Sequence, residues 1–107
     1  MANRIGAFLK TVTTSGTQVQ LSTTSLKVHT AIVQAEADNT GTITVGDSAA
    51  DSATGLGVTL GIPTAGGTPS SVVFSSSRDG SNEVELADIW IDSSVDGDGV
   101  KVVWTKS

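Results

Sequence analysis

Of the side chains that commonly do chemistry, this 107-residue chain has one histidine, no cysteine, and a large supply of serine and aspartate. By type, His29 could act as a base or a metal ligand. No second histidine, cysteine or nearby carboxylate accompanies it in sequence, so it reads as a structural or surface residue. Counting leaves a Ser-His-Asp triad open, since serine and aspartate abound, but for the same reason it carries no specificity, and no Gly-x-Ser-x-Gly elbow of the α/β-hydrolase type occurs. Absence of cysteine removes disulfides, thiolate metal sites and a cysteine nucleophile together. The acidic stretch from Asp92 places oxygen-bearing Asp92, Ser94 and Asp96 at positions 1, 3 and 5 of a calcium loop, with Gly97 at the sixth. The twelfth position, where a bidentate glutamate must close the site, is Val103, so the stretch reads as a turn between two strands. Asp79, Ser81 and Glu83 form a weaker cluster with the same turn reading. Gly55, Gly57, Gly61, Gly66 and Gly67 lack the Lys-Ser/Thr ending and following helix that a phosphate loop requires. The expectation is no catalytic residue, no cofactor and no metal.

The elements that carry these residues are strands. Fifteen Thr, fourteen Ser and twelve Gly dominate the composition, a mixture of residues that fit pleated strands and residues that punctuate turns. Apolar residues recur with a period of two in Thr17–Leu21, Lys27–Ala37, Thr42–Val45, Leu56–Ile62, Ser71–Ser75, Glu83–Leu86, Ile89–Asp92 and Val100–Trp104. Lys27–Ala37 is apolar on both faces, which predicts a central strand covered on both sides at one end. Between the runs, Asp38-Asn39-Thr40-Gly41, Ala65-Gly66-Gly67, Arg78-Asp79-Gly80 and Asp96-Gly97-Asp98-Gly99 offer Gly or Asn where a turn needs positive φ. Asp47–Gly55, made of small residues, reads as a surface loop. The spacing of eight to twelve residues predicts one antiparallel β-sandwich, jelly-roll or Greek-key, of about eight strands over residues 13–107. Residues 1–12 read either as an arm reaching to a neighbour or as an edge strand with Phe8 in the core.

Charge limits the partners. Eleven acidic against six basic residues give a net charge of -5, which disfavours a nucleic acid backbone. No apolar run approaches a membrane span, and the N-terminus has no signal-peptide core, so synthesis in a cytoplasm without membrane insertion is expected.

Three segments carry a resemblance: "VQAEADNTGTITVGDS" (Val33–Ser48), "GVTLGIP" (Gly57–Pro63) and "LADIWIDSSVDGDGVKVVW" (Leu86–Trp104). The Gln34-Ala35 pair, the Asn39-Thr40-Gly41 turn, Val45-Gly46, the Gly61-Ile62-Pro63 step and the hairpin from Leu86 to Val100 resemble a group of small structural proteins of tailed phages. The resemblance covers roughly the C-terminal three-quarters of the chain; the Ser- and Gly-rich Thr64–Glu83 is longer than the usual connection. It implies a virion component, foremost a decoration or cement protein that binds the capsid surface and stabilises it. Its implied partners are the major capsid protein and copies of itself, with trimers expected from threefold lattice sites. A tail or head–tail accessory protein is the alternative within that class. Outside it stand a carbohydrate- or cell-surface-binding module using Trp90 and the acidic loops, and a small hydrolase using His29. The residues expected at an interface are Arg4, Ile5, Phe8, Leu9 and Trp90. Trp104, in phase with Val100 and Val102, is expected in the core.

Overall fold

The computed structural model describes residues 5–51, 57–61, 70–75 and 84–106. Among them lie ten strands: β1 (Ile5–Thr11), β2 (Val19–Gln20), β3 (Lys27–Val28), β4 (Thr30–Ala35), β5 (Ile43–Gly46), β6 (Val58–Leu60), β7 (Ser71–Ser75), β8 (Val84–Glu85), β9 (Trp90–Ser93) and β10 (Gly99–Thr105). The helical content of the described residues is a single 3-10 turn, Leu86–Asp88. The Ala65–Gly67 and Arg78–Gly80 turns and the Asp79–Glu83 cluster lie outside the described residues, as does Arg4.

The pairing is nested. β1 pairs with β10, β2 with β9, β3 with β8, β4 with β7 and β5 with β6, every ladder antiparallel. The described strands therefore follow the plan of one long hairpin folded back on itself. Two further antiparallel ladders, β10 with β4 and β5 with β9, join its parts laterally. The outcome is a four-stranded sheet in the order β1-β10-β4-β7 (sheet A), a second in the order β2-β9-β5-β6 (sheet B), and the short pair β3-β8. Ala31, Val33, Ala35, Val100 and Val102 of sheet A meet Ile43, Val45, Leu60 and Ile91 of sheet B in one buried hydrophobic cluster, a sandwich-like arrangement.

Ten strands replace the expected eight: β1 (Ile5–Thr11) joins as an edge strand, and the expected strand Lys27–Ala37 divides into β3 and β4. The reason sits at His29. A continuous strand from Lys27 would place Val28 and Ala31, three residues apart, on opposite faces. Both are fully buried, because the chain bends at His29 and shifts phase by one residue. The His29 N–H still donates to the Thr105 carbonyl at 2.8 Å, so the bend stays tied to β10. The expected two-sided covering of this segment is also corrected: Ala31, Val33 and Ala35 are buried, whereas Ile32 remains 40% exposed. At β3-β8, the Glu85 carboxylate accepts the Ser25 hydroxyl and the Leu26 N–H. The Ser25 hydrogen bond is the main cause that holds the Glu85 carboxyl below the usual glutamate range. Next to it, fully buried Leu86 joins the core from the 3-10 turn.

Residues 5–11 form an edge strand of sheet A, paired with β10 from Ile5↔Thr105 to Thr11↔Gly99. Phe8 is half-buried against the core and Val12, just past the strand, is fully buried. Trp104 is half-buried and packs against the same cluster. Its register partner is Gly6, and a Cβ on Gly6 would fall inside the Trp104 indole. The smallest residue stands there because the ring occupies the space a side chain needs. Gly6→Val is expected to destabilise the protein by about 1–3 kcal/mol through overpacking, with an unchanged denaturant slope in urea unfolding. A change below about 0.5 kcal/mol would contradict this packing.

Candidate interaction surface

Strand registry assembles an apolar face that no single segment of the sequence displays. On the side of sheet A away from the core, Ala7 of β1 stands beside Val103 of β10, Val103 beside Ile32 of β4, and Ile32 beside Val73 of β7. This row crosses the entire sheet. One step along the strands lie Ile5, Thr105, Thr30 and Ser75; one step the other way lie Leu9, Lys101, Gln34 and Ser71. Ile5 and Leu9 are 68% and 65% exposed, Val73 58%, and Ile32 and Val103 40% each. Lys101 is the only charged residue in these three rows, with Glu36 just beyond them at the end of β4. A shallow groove of about 220 Å³ runs between β1 and β10, lined in part by Ala7, Leu9, Lys101 and Val103. Contiguous apolar surface of this kind on a single chain marks contact with another surface.

Ile5 and Leu9, expected at an interface, lie on this face. Phe8 does not: the period of two turns it inward, against the core. Trp90 is half-buried on sheet B, in register with Gln20 and Gly46 and on the opposite face from buried Ile91. It shares no surface with β1. Ile32, Val73, Val103 and Ala7 escaped the sequence reading, because alternation assigns residues to two faces without saying which face stays uncovered. The available signal was three apolar residues, Ile32, Val73 and Val103, each with polar residues two positions away on either side, on three separate strands.

The acidic stretch that resembles a calcium loop is occupied differently. Three connections cross between the sheets at one corner of the sandwich: residues 12–18, residues 36–42 and residues 94–98. Backbone amides in such crossings leave the ladders and need other partners. Asp98, 6% exposed, accepts the Thr40 N–H at 3.1 Å and the Gly41 N–H at 2.7 Å. The Asn39 side chain clasps Gly99, donating to its carbonyl at 2.8 Å and accepting its N–H at 2.9 Å. Ser94 Oγ accepts the Thr42 N–H at 2.9 Å. Asp92, 1% exposed, accepts the N–H groups of Gly16 and Ser93, both at 2.9 Å, and Asp96 accepts that of Ser15 at 2.8 Å. Gly97 has the positive φ, 88°, that the turn pattern anticipates. Gly41 does not, and glycine stands there for space: a Cβ would lie 2.7 Å from Val95 Cγ2 and 3.3 Å from Asp98 Oδ2. Nearby, burial raises the Glu36 carboxyl above the usual glutamate value, helped by Asp38 and Asp98 and opposed by Lys101.

Among the described residues, no group of three or more His, Cys, Asp or Glu is arranged to hold a metal ion. His29 lies at the strand break, half-buried, remote in the chain from the corner carboxylates. Compared with known proteins, the chain matches no family model, no curated protein and no solved structure.

Asp98→Ala leaves the Thr40 and Gly41 amides at the corner without their acceptor. The expected loss is about 2–4 kcal/mol in chemical unfolding. Asp47→Ala, which removes one exposed turn hydrogen bond to Ala49, is expected to cost about 1 kcal/mol or less. Equal losses for the two variants would contradict the corner account.

Proposed function

We propose that the chain is a non-enzymatic structural component of a tailed-phage virion, a decoration protein that sits on the head surface among the major capsid protein and copies of itself. The observation that carries this reading is the uncovered apolar row Ala7–Val103–Ile32–Val73, which fits a chain that works by packing against protein. Two further points support it. The order β1-β10-β4-β7 facing β2-β9-β5-β6, with each strand paired to its counterpart from the other end, is compatible with a jelly roll, an architecture that capsid proteins use. The segments that resemble phage structural proteins also have a physical account: Asn39-Thr40-Gly41 and Asp96-Gly97-Asp98-Gly99 are the two halves of the corner lock.

In this role the protein performs no bond chemistry. It contributes buried area and shape, and its net charge of -5 suits an outer surface away from packaged DNA. Cosedimentation of the purified chain with empty heads is the test. Saturable binding, with a rise in the heat or denaturant resistance of the heads, is the expected result. Binding to isolated tails in place of heads would move the protein to the tail, and glycan binding with neither would replace the virion role by the surface-binding module.

A further inference from the structure

The apolar face of sheet A has the shape and charge pattern of a surface made to meet itself. We propose that two copies of the chain pack face to face through the outer side of sheet A, related by a two-fold axis parallel to the strands and midway between β10 and β4. This inference rests on reading that face as a protein contact, and it does not depend on the virion role.

The axis position follows from the registry. It brings the partner's β4 over β10 and the partner's β7 over β1. Val73, more exposed than Ile32 and Val103 of the central row, then meets the partner's Ala7, beside which runs the groove between β1 and β10. Val103 meets the partner's Ile32. The two largest projections, Ile5 and Leu9, fall on the partner's Ser75 and the partner's Ser71, the two smallest residues of the flanking rows. Large thus sits on small along both outer strands, the condition for interdigitated sheets about 10 Å apart.

Charge agrees with shape. The one cation in the three rows, Lys101, lies under the partner's Gln34, and the next outward residue of that strand is the partner's Glu36. Symmetry makes two such Lys–Glu pairs at the rim. The same placement answers the situation of Glu36 within one chain, where it stands among Asp38 and Asp98 with Lys101 as its compensating charge. The area suits a transient contact. Strands of seven, seven, six and five residues, rising about 3.3 Å per residue and lying about 4.8 Å apart, give a face of about 400 Å², so two apposed copies bury on the order of 800 Å². That value lies in the size class of weak, transient contacts, which fits a reversible association rather than a permanent dimer.

The experiment is sedimentation equilibrium of the full chain across a concentration series, with Ile32→Asp and Val58→Asp as variants. Val58 is an exposed apolar residue of sheet B, 48% exposed, and serves as the control for adding a carboxylate to a strand. Circular dichroism confirms that each variant is folded. The wild type and Val58→Asp are expected to reach twice the 10.8 kDa chain mass, while folded Ile32→Asp stays at the single-chain mass. Lys101→Glu is expected to weaken the dimer and Lys101→Glu with Glu36→Lys to recover it. A wild type that remains a monomer, a trimer, or a dimer untouched by Ile32→Asp would each overturn the proposal. Failure to bind heads by a protein that dimerises in this way would instead remove the virion role alone.

Discussion

A sandwich built from one folded-back ribbon must carry its chain from sheet to sheet, and each crossing strips backbone amides of their ladder partners. In this protein the crossings at 12–18, 36–42 and 94–98 converge, so the unmet hydrogen-bonding demand is concentrated at one corner. Five side chains meet it: Asn39, Asp92, Ser94, Asp96 and Asp98. An unsatisfied buried amide costs about 1–3 kcal/mol, and a charged acceptor gives more than a neutral one, which accounts for carboxylates in so buried a place. The corner also fixes what lies beyond it. It sets where β4 and β10 begin and end relative to one another, hence the alignment of Ile32 with Val103 and the continuity of the exposed row.

Much of the fold could be read in the sequence, and for a definite reason. Alternation in Val19–Leu21, Ser71–Ser75 and Val100–Trp104 is a local property of a half-buried strand, and these strands stand where it places them. The break at His29 is not local. Lys27–Ala37 is apolar on both faces, so its pattern does not fix a phase, and only the separate partners of β3 and β4 reveal that the phase changes. The acidic turn was ambiguous for a similar reason. Aspartates two apart suit a calcium loop and a capped turn equally well, and the groups that decide between them, Thr40 and Gly41, lie 58 and 57 residues away in the chain. The interaction face was hardest to see. Its row takes one residue from each of four strands, and Ile5 and Leu9 stood out only because they fall close together in β1.

These observations tie fold to role through geometry. Chain-end strand β1 is held by β10 along its length and places Phe8 inward, so its outward residues are presented on a rigid sheet rather than on a free arm. Sheet B offers less. Its outward Trp90 is half-buried, and further along the same face Asp92 and Thr44 are covered, with the loop at Gly16 bonded to Asp92. The asymmetry between a capped sheet B and an open sheet A is what directs the proposed contacts to sheet A.

Amide hydrogen exchange at the corner tests the account most directly. Thr40, Gly41 and Gly99 belong to no hairpin ladder interior, and by position alone they would exchange as loop amides do, close to the unprotected rate. If Asp98 and Asn39 hold these crossings, their exchange will be slowed to the level of Val33 and Val102 in the centre of sheet A. Exchange at loop rates for Thr40, Gly41 and Gly99, with β4 and β10 protected, would contradict the claim that the corner holds the two sheets in register.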